Sequence, residues 1–116
     1  MTLTTLNHLK IRPIEQDDKS DIIKLWHAAG LFESNGLDAQ NEFTVASLLP
    51  HSQIFVAEEL GHIYGVVLAA ISHGSGWVWD LAVHPSIQRK GLGKALVRHA
   101  ENWIKAEGGK RSMLFL

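Results

Sequence analysis

Trp77-Val-Trp-Asp-Leu-Ala-Val-His-Pro-Ser-Ile-Gln-Arg-Lys-Gly-Leu-Gly-Lys-Ala-Leu96 is the stretch whose reading decides the fold. It begins as an apolar strand. Pro85 ends that strand, because proline has no amide hydrogen to give to a neighbouring strand. Gln88 to Gly93 make a short basic loop with two glycines. From Leu92 onward the apolar residues recur at helical spacing, at Leu92, Leu96, Ala100, Trp103 and Ile104. A strand, a glycine loop and a helix in that order suit phosphate binding. The first-turn amides of a helix lack partners inside it and carry the positive end of its dipole. Glycine lets an anion reach the backbone without meeting a Cβ.

Working outward, the N-terminal side supplies a strand and a helix. Met1 to His8 are polar and Thr-rich, and a frayed lead-in is expected there. Leu9 to Pro13 read as a strand ended by Pro13. Asp17 and Asp18 suit the start of a helix over Lys19 to Ala29, with Ile22, Leu25, Trp26 and Ala29 inward and Gly30 as its stop. Ser34, Asn35 and Gly36 break the chain. Asn41 is expected to cap a short helix running through Leu49, with Phe43, Val45, Ala46 and Leu49 partly buried.

Three strands then follow as a meander: Gln53 to Glu58, His62 to Ser72 and Gly76 to His84, with tight turns at Leu60-Gly61 and at His73 to Gly76. Gly65, inside the second, predicts a bulge or the close approach of another backbone. The helix that begins at Leu92 is expected to run to about Glu107, before Gly108-Gly109. Ser112 to Leu116 begin a last strand. These elements predict one α/β (α+β) domain over residues 1–116, with a mixed, mainly antiparallel sheet flanked by helices.

Composition narrows the function. The 116 residues carry a formal net charge of -1, so no broad basic field invites nucleic acid. No apolar run approaches the ~20 residues of a bilayer span. The N-terminus lacks the charged-then-apolar pattern of a signal peptide, and a cytoplasmic location is expected. Without cysteine there is neither a disulfide nor a cysteine nucleophile. The seven histidines (8, 27, 51, 62, 73, 84 and 99) show no metal-ligand spacing, so no metal is expected. A dinucleotide fingerprint would want a third glycine, but Lys94 and Ala95 follow Gly93. Ala95 after Lys94 also breaks the P-loop pattern.

The spacing Gln88-x-x-Gly91-x-Gly93, preceded by Leu81-Ala82-Val83-His84-Pro85, resembles the acetyl-CoA-binding motif of the GCN5-related N-acetyltransferase (GNAT) family. The resemblance covers nearly the whole chain in element order, and an acyl-CoA N-acyltransferase-like fold is its consequence. It implies that the amides around Gln88, Arg89, Lys90, Gly91, Leu92, Gly93 and Lys94 hold the pyrophosphate of acetyl-CoA. Backbone groups of Leu81, Ala82 and Val83 would meet the pantetheine arm. It further implies acetyl transfer to a primary amine by direct attack in a ternary complex.

The family pattern continues past the strand at Ser112 with a helix and two closing strands. That part commonly carries the Tyr that protonates the departing thiolate. The chain stops at Leu116, so the fold is expected to be incomplete there. Tyr64, the only tyrosine, falls on a middle strand and reads as core or sheet surface. An unpaired last strand predicts a homodimer through that edge. The alternative function is a catalytically impaired CoA-binding or assembly module. For the base, Asp80, Glu33, Asp38 and His84 are candidates and none is assigned; His84, before Pro85, reads mainly as a turn residue. Trp77 and Trp79 suit either an acceptor pocket or a sheet core. The acceptor is a small-molecule or protein amine.

Overall fold

The computed structural model describes residues 8–32 and 37–114. Five strands form one sheet in the order β1 (Lys10–Pro13), β2 (Ser52–Glu59), β3 (His62–Ser72), β4 (Ser75–Val83) and β5 (Ser112–Leu114). Neighbours run antiparallel except β4 and β5, which are parallel. Helices α1 (Lys19–Ala28) and α2 (Leu37–Leu48) cover one face, and α3 (Leu92–Ala106) covers the other. The mixed, mainly antiparallel sheet flanked by helices is thus the expected architecture. Both hairpin turns place two consecutive residues at positive φ, Leu60-Gly61 and His73-Gly74, a backbone twist that matches the strands they join.

Each face has its own apolar core. Under α1 and α2 lie Ile22, Leu25 and Trp26 with Val56, Val66 and Leu68. Under α3, Leu92, Leu96, Ala100 and Ile104 make a single stripe four residues apart, packed on Phe55, Val67 and Val78. Each fully buried leucine or isoleucine contributes roughly 2 kcal/mol. Glycine lets α3 come close. A Cβ at Gly65 would stand 2.7 Å from Leu96 Cδ1 and 3.1 Å from Leu92 Cδ2, and one at Gly76 would collide with Ile104. Gly65 also adjoins an irregularity, because the β2–β3 pairing steps from Ala57↔Gly65 to Glu58↔Ile63 and leaves Tyr64 as an extra residue. The nearest approach is by two leucine side chains, with the Ala82 carbonyl oxygen next at 3.5 Å.

Two boundaries differ from the sequence reading. Helix α2 starts at Leu37, a full turn before Asn41. Fully buried Ala39 ties that first turn to the core, and Asp38 meets the positive helix end. Its outer face carries Val45, 58% exposed, where partial burial was expected. The last strand is seen over Ser112–Leu114; Phe115 and Leu116, like the Met1–Asn7 lead-in, lie outside the described residues. The remaining strand and helix ends agree to within a residue or so.

A network invisible in the sequence pattern fixes the N-terminal corner. Arg12 donates from Nη1 to Asp18 Oδ2 (2.8 Å), from Nη2 to Asp18 Oδ1 (3.1 Å) and from Nε to Glu58 Oε1 (2.6 Å). The Glu15 amide also donates to Asp18 Oδ2. This joins β1, the 3-10 turn Gln16–Asp18 and β2. Asp18 is buried, and the Arg12 guanidinium holds its carboxyl below the ordinary value of 3.8.

Asp18→Ala is expected to cost about 2 kcal/mol in urea unfolding, since it removes two hydrogen bonds from a half-buried guanidinium that keeps Glu58. Glu107→Ala removes the half-exposed pair with His51 and should cost under about 0.5 kcal/mol. Because the folded-state value of Asp18 is depressed, its contribution is complete above pH 3.8 and fades as the pH falls through the depressed value. Urea midpoints of wild type and Asp18→Ala should therefore converge in acid.

Candidate functional site

The site begins with an irregularity in β4. Leu68 pairs with Trp79 and Val66 with Ala82, so two steps along β3 match three along β4. The extra residue breaks the alternation of side chains. Val78, Leu81 and Val83 all pack toward α3, whereas Trp79 and Ala82 pack under α1 and α2. Asp80 sits at this bulge with φ +55°, a left-handed conformation that few residues other than glycine adopt. Trp26 of α1 donates its indole Nε1–H to the Asp80 carbonyl at 3.3 Å.

The described residues of β5 pair with Gly76, Trp77 and Val78. Among the described residues, no strand lies against Trp79 to Val83 on the side away from β3. Leu81, Ala82 and Val83 therefore have no strand partner on that side among the described residues, while their side chains face the two cores.

The chain then leaves β4 through a 3-10 turn, Pro85–Ile87, and reaches α3 through Gln88 to Gly91. His84 Nδ1 accepts the Ser86 amide at 3.1 Å, so this imidazole caps the turn, and its place as a turn residue holds. Gln88 Nε2 donates to the Val83 carbonyl at 3.1 Å and ties the loop back to the strand. Arg89 (φ +66°) and Gly91 (φ +91°) both take left-handed conformations and swing the backbone into the helix. Gly91 is the N-cap and offers no side-chain cap to the first-turn amides of Leu92, Gly93 and Lys94. Arg89, Lys90 and Lys94 are exposed around them, and Leu92 is buried.

A Cβ on Gly93 would touch Val83 Cγ2 at 3.7 Å and Leu81 Cδ2 at 3.8 Å, ordinary van der Waals contact. Packing within the chain does not demand glycine there.

Of the carboxylates named as candidate bases, only Asp80 stands at this edge partly buried. Its pKa is pushed up to about 8, first by burial, then by hydrogen bonding and repulsion from Glu42. Asp80 Oδ2 is buried without a partner. Asp38 is exposed in the first turn of α2, and Glu33 lies outside the described residues. Glu42, one turn beyond Asp38, is the acidic residue that sequence reasoning missed. Its spacing from Asp38 on a helix was the available signal, obscured by a helix start placed too late. Trp79 packs in the core under α1 and α2, and Trp77 shares its face. Tyr64 lies on the α3 face, 6.0 Å from the His84 ring centroid. A separate groove of about 470 Å³ lies between α1 and the start of β3, lined by Lys24, His62, Tyr64 and His84 among others.

These features have counterparts in known proteins. The sequence model of the Acetyltransferase (GNAT) family matches residues 11–116. An acetyltransferase of Photorhabdus laumondii is 28% identical over 110 residues, covering 93% of this chain and 75% of that protein. A glucosamine-6-phosphate N-acetyltransferase from Arabidopsis thaliana superposes with a TM-score of 0.74 at 24% identity, over 93% of this chain and 82% of that one. A GNAT family acetyltransferase from Brucella melitensis, solved with acetyl-CoA, gives 0.75 at 23% identity, over 92% of this chain and 75% of that one. At such identities the structural likeness speaks for the fold.

The raised Asp80 value has a consequence for stability. The folded state holds this proton more tightly than the unfolded chain does, so stability falls as the pH rises from about 3.8 to about 8. Asp80→Asn keeps the shape and suits the left-handed backbone. Its melting temperature relative to wild type should climb across that window and level off above it. An offset independent of pH would contradict the assignment.

Proposed function

The chain belongs to the GNAT family of acetyltransferases, and from that premise we propose that it transfers an acetyl group from acetyl-CoA to a primary amine by direct attack in a ternary complex. The observation that carries this reading is the open turn at the start of α3. Its amides have no cap, and its second glycine is not required by the chain's own packing. A diphosphate fits such a place, because it needs converging N–H donors and unobstructed backbone.

Each residue then has a task. Gln88 fixes the turn, and Gly91, Leu92, Gly93 and Lys94 supply the cradle. The exposed Arg89 and Lys90 add positive charge at its rim. The free edge of Leu81, Ala82 and Val83 receives the pantetheine amides as a sheet receives an added strand. Acetyl-CoA, when bound, supplies the thioester carbonyl and the thiolate leaving group. Asp80, beside that edge, accepts the proton that the amine nitrogen loses as the new C–N bond replaces the C–S bond. Orientation by this fixed edge supplies much of the remaining acceleration. A protonated Asp80 cannot act as base, so the rate should rise with pH through about 8.

We further propose self-association along β5, whose outer edge has no partner among the described residues. The competing reading is a binding or assembly module that holds CoA without turnover.

Calorimetric titration separates these readings. Wild type should bind acetyl-CoA and neither NADH nor ATP. Gly91→Glu should abolish that binding while the protein still unfolds cooperatively. Asp80→Asn should retain binding and lose at least about 100-fold in thiol release with an amine panel. Unchanged binding by Gly91→Glu contradicts the cradle, and binding without thiol release leaves the module. Sizing chromatography of the same samples should show a dimer, and a monomer would contradict the open-edge argument.

A further inference from the structure

Resting on the acetyltransferase reading above, we propose that Trp26 is a positioning residue for the transfer step. Its indole N–H holds the Asp80 carbonyl and so fixes the peptide at the head of the edge Leu81 to Val83.

In a regular strand the carbonyls point along the sheet, toward the neighbouring strands. A side chain lying on the face of the sheet does not meet them. The β4 bulge breaks that rule, because Asp80 and Leu81 together stand opposite Val67 alone. Asp80 takes φ +55°, and Trp26, coming from α1 on the face of the sheet, donates Nε1–H to its carbonyl at 3.3 Å. The peptide between Asp80 and Leu81 has therefore turned out of the sheet plane. A trans peptide points its N–H opposite to its C=O. With the carbonyl held toward α1, the Leu81 N–H is aimed away from it, and one hydrogen bond sets both.

The indole is itself held in place. Trp26 is 1% exposed. Phe32 meets its ring edge-on at 5.1 Å between centroids, and Phe43 of α2 does so at 6.4 Å. Val56, Val66 and Leu68 of the same core offer it no side-chain acceptor. A buried N–H needs a partner, and the Asp80 carbonyl is the one it has. A left-handed aspartate likewise persists only where its surroundings enforce it, and such strain concentrates at working sites. Phenylalanine at position 26 would fill most of the same space and hold nothing.

The consequence is for chemistry more than for affinity. In the acetyltransferase reading the cradle at the start of α3 binds the pyrophosphate, and Trp26 belongs to the core on the opposite face of the sheet. The Asp80–Leu81 peptide instead stands beside the carboxyl that takes the proton of the amine. Without its donor the peptide can relax toward the pleat, and carboxyl and thioester lose their mutual placement. Misplacement by an ångström costs on the order of 100-fold in rate.

The test uses the full-length protein as wild type, Trp26→Phe and Ile22→Ala. It reads the Asp80 carbonyl-carbon NMR resonance of the free protein, acetyl-CoA affinity by calorimetry, and kcat by thiol release with an amine. Trp26→Phe should move the resonance upfield, as for a carbonyl that loses its donor. It should bind acetyl-CoA like wild type and lose at least about 10-fold in kcat. Ile22, fully buried on the same helix, has no part in the bond, so Ile22→Ala should melt earlier yet keep both the resonance and kcat. Benzothienylalanine at position 26, the same bicycle with sulfur in place of N–H, should reproduce the phenylalanine result. It serves as the second variant if Trp26→Phe folds poorly. A kcat that survives loss of the N–H overturns the proposal, and so does an equal fall in Ile22→Ala. A wild type that releases no thiol contradicts the acetyltransferase reading; a resonance that moves in Trp26→Phe alone then still assigns the peptide's orientation to the indole.

Discussion

One residue too many in β4 sets the rest of this site. A regular strand would have kept Leu81 and Val83 on the face of Trp79. The bulge at Asp80 turns the backbone through a left-handed conformation, after which β4 has β3 on one side and, among the described residues, no strand on the other. That one distortion turns Leu81 and Val83 to the α3 face and leaves a carboxyl at the bulge, beside a β4 edge with no strand partner among the described residues. The cost of holding an aspartate at positive φ is of order 1–3 kcal/mol. The Trp26 hydrogen bond and the two cores on either face of the sheet keep it there.

The second part of the site depends on how closely α3 lies on the sheet. Gly65 and Gly76 leave room for the Leu92, Leu96 and Ile104 side chains, so the helix start is fixed to the same strands that carry the β4 edge. The β4 edge and the start of α3 are therefore packed into one frame. The Arg12–Asp18–Glu58 network has a comparable role at the other end, fixing β1 and the entry to α1, which carries Trp26. A charged network far from the cradle thus helps to hold the indole that holds the bulge.

Much of this was legible in the sequence, for identifiable reasons. Pro85, the glycine pair and the four-residue spacing from Leu92 are strong local signals, and the structure follows them nearly residue for residue. The β3 limits were readable because a long apolar run is bounded by turn residues. The bulge was not. Strict alternation through Trp77 to Val83 puts Leu81 and Val83 with the tryptophans, whereas the extra residue moves them to the opposite face with Val78. No residue type marks that inversion, since aspartate in a strand reads equally as a solvent-facing position. Glu42 was missed for a related reason: it stands 38 positions from Asp80, beyond the reach of any local pattern. The Arg12 network escaped in the same way, its partners being six and 46 positions off.

The central claim is that one frame, the free edge of β4 with the uncapped start of α3, receives acetyl-CoA. The most direct test is an amide NMR titration of the full chain with acetyl-CoA. The account predicts that the largest shifts fall together on Leu81 to Val83 and on Gly91 to Lys94, saturating with one binding constant. Shifts centred instead on the groove of Lys24, His62 and His84, with the α3 amides unmoved, would contradict it.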